Sequence, residues 1–383
     1  MTALEQEAIT VRRTLHAAPE LSGKENNTAS YITRLMQEAG ARDIVTGLGG
    51  TGVAAVFGAG PRNLMIRCEL DALPICETGD RPWRSAHPGV AHSCGHDGHM
   101  AILWMLARQL GRADLSCRVT LLFQPAEETG AGARAVLADP RFEMVRPDMA
   151  LALHNLPGLP LGSMALQTGP VNCASRGLHI RLRGRSSHAS EPDKAHSPAQ
   201  ALASLIEAIC ASGPVLPLDD PDFELVTITH ACLGVPSFGI TPGMAELRIT
   251  LRTLLDARME TLEARLRALI SHHAGGFDPD ITVHEAFSHC ENDAQATALL
   301  ERASSHLSGA PPALPMRASE DFGLFGKICP SAMFFLGAGE SCPPLHAPDY
   351  DFPDDLIAIG ADIFLRAIEA FSGADPGREP ALP

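Results

Sequence analysis

The patterning of the 383 residues predicts an α/β protein into which a second, α+β unit is inserted. Three observations carry that expectation. Short apolar runs at 52–57, 63–68, 118–123 and 149–153 read as strands, and three of them lead into chemically reactive residues, as strands of an α/β sheet do at their carboxyl ends. Apolar positions at helical spacing lie between the runs, as at 100–110. From about Ser175 the texture changes to alternation, with Leu178, Ile180 and Leu182 on one face and His179, Arg181 and Arg183 on the other, the mark of a half-exposed strand.

Taken in order, residues 5–39 carry apolar positions at helical spacing (Tyr31, Leu35, Ala39). They are interrupted at His16-Ala17-Ala18-Pro19-Glu20 and closed by Gly40 as a C-cap, so two helices are expected. The runs 52–57 and 63–68 lie on either side of a Gly58-Ala59-Gly60-Pro61 turn, and the second leads directly into Glu69-Leu70-Asp71. A buried helix over 100–110 precedes the strand at 118–123, which delivers Gln124-Pro125-Ala126-Glu127-Glu128; the strand at 149–153 delivers His154-Asn155. The second texture continues through Ser187-His188-Ala189, a helix at 198–210, strands at 224–232 and 245–253, a helix at 257–273 and a strand at 281–287. That order is β-α-β-β-α-β, enough for a self-contained domain at 175–288 and a discontinuous one formed by 1–174 and 289–383. A last helix runs to about 371, and the Pro- and Gly-rich tail from Gly373 is expected to be disordered.

Composition bounds the function. With 45% hydrophobic residues the chain can bury cores for two domains. A formal net charge of −15 argues against nucleic acid or an anionic membrane as partner, since both require a basic face. Its start has no basic segment followed by an apolar run, and no stretch is apolar for long enough to span a bilayer, so a cytoplasmic protein is expected. The ten cysteines lack framework spacing and read as reduced thiols. Only Cys94 has a chemical neighbourhood.

That neighbourhood is His92-Ser93-Cys94-Gly95-His96-Asp97-Gly98-His99, three imidazoles, a thiol and a carboxylate in eight residues. Histidine and cysteine are preferred ligands of zinc-like cations, and Gly95 removes the side chain that would block two of them from one hole. Taken separately, each piece has a plain reading. A His-rich turn is as often a solvated loop, adjacent glutamates usually serve solubility, and a lone histidine after a strand is more often structural. Here Glu127-Glu128 follow a buried-looking strand and a proline and precede the small residues 130–133, which places them in a tight turn. One glutamate could bind a metal while the other handles protons.

In order along the chain, the pieces Leu15-His16 with Pro19-Glu20-Leu21, Asp71-Ala72-Leu73-Pro74, Cys94-Gly95-His96-Asp97-Gly98-His99, Gln124-Pro125-Ala126-Glu127-Glu128, Leu153-His154, His188-Ala189, Ser319-Glu320-Asp321-Phe322 and Leu345-His346 resemble the aminoacylase, hippurate hydrolase and auxin-conjugate hydrolase family of dinuclear-metal amidohydrolases. The resemblance covers nearly the whole chain. It implies a zinc-peptidase-like catalytic domain with a central mixed sheet and an inserted ferredoxin-like domain serving as lid and dimerisation element. It places two divalent ions, zinc or manganese or else cobalt or nickel, on Cys94, His96, Glu128, His154 and His346, and the catalytic carboxylate on Glu127. His188 of the lid would hold the substrate or developing oxyanion, often across a homodimer. Asp71 or Asp97 would orient ligand imidazoles from behind, and Glu320 would stand near them or near the substrate. With five ligands accounted for, His92 and His99 fall to supporting or packing roles. The implied reaction is hydrolysis of the amide of N-acyl amino acids or related small amides by an activated water. Two departures stand out: Glu69 where the family commonly has aspartate, and Gly239-Ile240-Thr241-Pro242 where it has Asn-Val-Ile-Pro, so that one amide contact to substrate is missing.

Two rival readings remain at this level. A thiol hydrolase would use Cys94 as nucleophile and His96 or His154 as base, which leaves Glu127, Glu128 and His346 unexplained. A non-catalytic, metal-stabilised binding protein would be expected to have lost Glu127.

Overall fold

The computed structural model describes residues 1–213, 216–311 and 313–373, and the tail expected to be disordered beyond Gly373 lies outside them. In chain order the elements are α1 (Ala3–Ala17), α2 (Asn26–Glu38), β1 (Asp43–Leu48), β2 (Gly52–Phe57), β3 (Asn63–Glu69), α3 (His96–Leu110), β4 (Arg118–Gln124), α4 (Gly132–Ala138), β5 (Met149–Leu156), β6 (Met164–Ala165) and β7 (Gly169–Asn172). Then come β8 (Ala174–Arg183), β9 (Ser187–His188), α5 (Ala199–Cys210), β10 (Glu224–Leu233), β11 (Ile240–Thr241), β12 (Met244–Thr253), α6 (Asp256–His273), β13 (Asp280–Phe287), β14 (Cys290–Asn292), α7 (Ala294–Ala303), β15 (Ser331–Gly337) and α8 (Asp355–Gly373). Two compact units result, one of Met1–Val171, Glu291–Leu314 and Asp321 onward, the other of Asn172–Cys290 and Pro315–Glu320.

The first unit is built on a seven-stranded mixed sheet in the order β1-β2-β4-β3-β5-β15-β6. Its middle four strands, β4, β3, β5 and β15, are parallel. Strands covered on both faces must be apolar almost throughout, and β2, β3 and β15 are buried along their whole length. Although β2 and β3 are joined by a short turn, β4 lies between them and pairs with both. The edge strand β1, antiparallel to β2, was not visible in the pattern, because Asp43, Ile44 and Gly47 keep it half exposed. On the sheet packs α3, whose residues are buried from His96 through Ala107, with α1 and α8 as its neighbours.

In the second unit, β8, β10, β12 and β13 form an antiparallel sheet in the order β10-β12-β8-β13. Numbered along the chain this is 2-3-1-4, the ferredoxin-like arrangement of a β-α-β-β-α-β unit. Leu178, Ile180 and Leu182 face inward as their alternation requires, packing with Leu247, Ile249 and Leu251 against Leu205, Leu262, Leu266 and Ile270 of the two helices. Residues 315–320, counted with the other domain on sequence order, cluster with this unit. Hydrogen bonds across the sequence hold them there: Cys173 N donates to the carbonyls of Met316 and Ala318, and Arg252 to that of Arg317. Among the described residues no helix is long and apolar enough to cross a membrane.

Candidate metal centre

Three of the parallel strands end beside one another, and each carries the chain into a reactive side chain. β3 runs into Asp71, β4 into the turn with Glu127 and Glu128, and β5 contains His154 two residues before its end. The fourth contributor is Gly95, whose φ of 91° lets the chain turn from Cys94 into α3, so that His96 opens the helix. The turn after β4 is as tight as its small residues suggest. Ala126 has φ 51°, its N–H donates to Glu25, and a Cβ on Gly132 would stand 1.6 Å from the Pro125 carbonyl oxygen.

These turns bring the five expected ligands together. Cys94 Sγ lies 3.4 Å from His154 Nε2. The two oxygens of Glu128 face different imidazoles, Oε1 being 3.9 Å from His96 Nε2 and Oε2 3.6 Å from His346 Nε2. Two groups, Cys94–His96–His154 and Cys94–Glu128–His346, have ligand atoms within 4.8 Å of one another, and they share the thiol; Glu127 lies within the same distance of His96 and Glu128. The imidazoles are already oriented. His96 Nδ1 donates to the Asp71 carbonyl at 2.9 Å and His154 Nδ1 to the Asn155 carbonyl at 2.7 Å, which leaves Nε2 of each for a cation. His346, with φ 65°, is tied by its N–H to the Ser93 carbonyl.

Electrostatics fit a cation. Burial by itself would lower the pKa of His96, yet Glu69, Asp71 and Glu128 raise it to about 10, so positive charge is favoured there. Its Nε2 is buried with no hydrogen-bond partner among the described residues. Burial, then the carboxylates of Glu128 and Glu127, push the Cys94 thiol well above its ordinary range, and burial with the neighbouring His99 pushes His154 down to about 3. A thiolate at Cys94 therefore requires a cation beside it. A donor set of one sulfur, three imidazole nitrogens and a carboxylate suits zinc-like ions.

Residues 65–370 match the model of peptidase family M20/M25/M40. The chain belongs to this family. The M20 chain is 32% identical over 374 residues to an N-acetyldiaminopimelate deacetylase of Halalkalibacterium halodurans, covering 96% of this chain and all of that one. To a hippurate hydrolase of Campylobacter jejuni it is 29% identical over 364 residues, covering 93% and 94%. Among solved structures it resembles a Bacillus subtilis protein described as a dinuclear metal binding peptidase from the M20 family, with TM-score 0.78, 26% identity and coverage of 97% and 99%.

The remaining expected residues of the M20 chain fall in both units. Asp71 stands at the site, its Oδ2 accepting from Ser22 Oγ at 2.6 Å and from Glu128 N at 3.0 Å, and its Oδ1 3.5 Å from His96 Nδ1. Asp97 is turned away from the ligand imidazoles: it pairs with His16 at 2.9 Å and Arg12 at 3.4 Å, because α1 packs on α3 at that point. Glu320 is buried in the second unit. His188 lies in that unit on β9, exposed, with Nδ1 2.7 Å from Ser190 Oγ. His92 is buried without a hydrogen-bond partner among the described residues. Missing from the expectation are Arg67, Asn155 and Tyr350, which form a buried polar network with Glu69 and His99. The available signal was an arginine and a glutamate inside the apolar run of β3, charges that must be paired wherever they are buried.

Proposed function

We propose that this M20 chain hydrolyses the amide bond of N-acyl amino acids or related small amides, with two divalent metal ions held by Cys94, His96, Glu128, His154 and His346. The observation that carries this reading is the pair of ligand groups sharing Cys94, with a second, non-identical glutamate beside Glu128. The names of the relatives, a deacetylase of an N-acetylated amino acid and a hippurate hydrolase, support the substrate class. Metal ions bound there would lower the pKa of a water and polarise a carbonyl oxygen.

The protein supplies the rest. Glu127, 6% exposed, takes the proton of the attacking water on its carboxylate and hands it to the leaving amine nitrogen. Glu128 stays anionic, with its backbone N–H anchored to Asp71. Asp71 and the Asn155 carbonyl keep His96 and His154 in the tautomer that presents Nε2. His188, an exposed imidazole oriented by Ser190, serves the oxyanion or the substrate from the inserted domain. A homodimer through that domain, in the cytoplasm, completes the reading. It is supported by the open edges of β10 and β13 and by Val235, Phe238 and Ile240, all exposed in the isolated chain.

The thiol-nucleophile rival loses ground on the same geometry. Cys94 and His154 are close enough to pair, but their pKa values are driven apart in the sense that keeps both neutral. The deciding experiment is release of an amino acid from a panel of N-acyl amino acids, before and after chelation and with zinc, manganese, cobalt or nickel restored. Activity that vanishes with chelation and returns with metal is expected. Full activity in metal-stripped protein, lost to a thiol reagent that metal does not block, would instead establish the thiol mechanism.

A further inference from the structure

Asn155 follows His154 in β5, and its side-chain amide is fully buried. Its Oδ1 accepts from His99 Nε2 at 2.6 Å, and its Nδ2 donates to the Tyr350 hydroxyl at 2.6 Å. The same amide lies flat against Gly95, where a Cβ would stand 2.4 Å from Oδ1. The turn between Cys94 and His96 therefore closes directly onto the Asn155 amide. His99 presents its other ring nitrogen to Glu69 Oε2 at 2.6 Å. Glu69 is paired with Arg67, and Arg67 reaches Gln124 at 3.0 Å and Asp321 at 2.6 Å. Every side chain in this run is at most 1% exposed.

The run touches each segment that brings a ligand. Tyr350 is four residues beyond His346, Asn155 adjoins His154, Gly95 separates Cys94 from His96, and Gln124 closes the strand that delivers Glu127 and Glu128. We infer that Asn155, held by His99 and Glu69, is the positioning residue of the centre, setting the Cys94-Gly95-His96 turn against His154. This rests on the metal reading above. Packing alone would need only volume at 155, which a leucine supplies. A chain of fully buried polar groups has instead been desolvated and paired link by link, and such a chain enforces one arrangement rather than added stability.

The test compares Asn155→Leu, Asn155→Asp and His99→Gln with the parent protein. Zinc affinity is read by competition with a chromophoric chelator, and ligand geometry by the visible spectrum after cobalt loading, with circular dichroism confirming the fold. Loss of a group that orients ligands typically weakens metal binding roughly 10–100-fold, and a loss of that size with a changed cobalt spectrum is expected for Asn155→Leu and His99→Gln. Asn155→Asp keeps an acceptor toward His99 and should stay closer to the parent. Wild-type affinity and spectrum in folded Asn155→Leu and His99→Gln would overturn the inference, as would equal losses for leucine and aspartate. Should Asn155→Leu not fold, Tyr350→Phe, which removes one hydroxyl from the far end, decides: a smaller loss of zinc affinity supports the role and no loss overturns it. A parent protein that binds neither zinc nor cobalt would sink the metal reading itself, a result distinct from indifferent variants of a metal-binding parent.

Discussion

Glu127 and Glu128 are neighbours with different surroundings, and the difference sets their expected behaviour. Glu128 stands between His96 and His346, whereas Glu127 adjoins His96 and Glu128 without being needed to complete either Cys94-containing group. Glu127→Gln should retain fold and metal yet lose turnover by ~10²–10⁴-fold, since an amide cannot accept the water's proton. Glu128→Gln should lose metal as well; metal analysis of both variants beside their kcat separates the roles, and retention of metal by an inactive Glu128→Gln with an active Glu127→Gln would reverse them. His16 gives a residue-scale prediction of another kind. Burial by itself would lower its pKa, but the Asp97 carboxylate and the hydrogen bonds to Asp97 and Glu77 raise it from 6.5 to about 9. A raised folded-state pKa means that this stabilisation is whole below pH 6.5 and disappears as pH rises through 9. Its size is on the order of 3 kcal/mol. Thermal melts from pH 6 to 10 should therefore show the parent losing stability relative to His16→Gln, and parallel curves would refute the pairing.

The turn after β4 states its requirement at the scale of an element. It closes by bringing Gly132 onto the Pro125 carbonyl, with Gly132 N donating to the Ala126 carbonyl. Gly132→Ala must push that backbone apart and should cost at least roughly 2 kcal/mol, the usual range for an overpacked site, while also displacing Glu127 and Glu128. Lower stability together with weaker metal retention is expected in chelator titrations; a variant with parental melting and metal content would show that the turn relaxes freely. Local pattern made this element readable, since a strand, a proline and four small residues can hardly be anything but a tight turn. It did not reveal that Glu25 of the N-terminal segment anchors the turn through Ala126 N, because that hydrogen bond joins residues 101 apart.

For the molecule as a whole, the expected consequence of metal is stability as well as activity. An ion that binds only the folded state adds about 2.7 kcal/mol at a hundredfold excess over its dissociation constant, so chelation should lower the melting temperature and zinc should restore it. Sedimentation should give a dimer for the full chain, and His188→Ala should lower kcat with metal content unchanged; a fully active monomer would refute the dimer, and wild-type kinetics in His188→Ala would remove that residue from the reaction. Most of the element order, the β-α-β-β-α-β order of the second unit and the residues that gather at the candidate centre were legible in the chain, because apolar periodicity, turn residues and short motifs are local properties that survive without a partner. Pairing was not. That β4 slips between β2 and β3, that Asp97 serves His16 and Arg12 rather than a ligand imidazole, and that residues 315–320 join the second unit were decided by contacts between segments far apart in sequence. The buried run from Tyr350 to Asp321 belongs with them. Each of its residues reads singly as an isolated polar side chain, and only the folded sheet brings them within hydrogen-bond reach, where burial leaves an unpaired group too costly to keep.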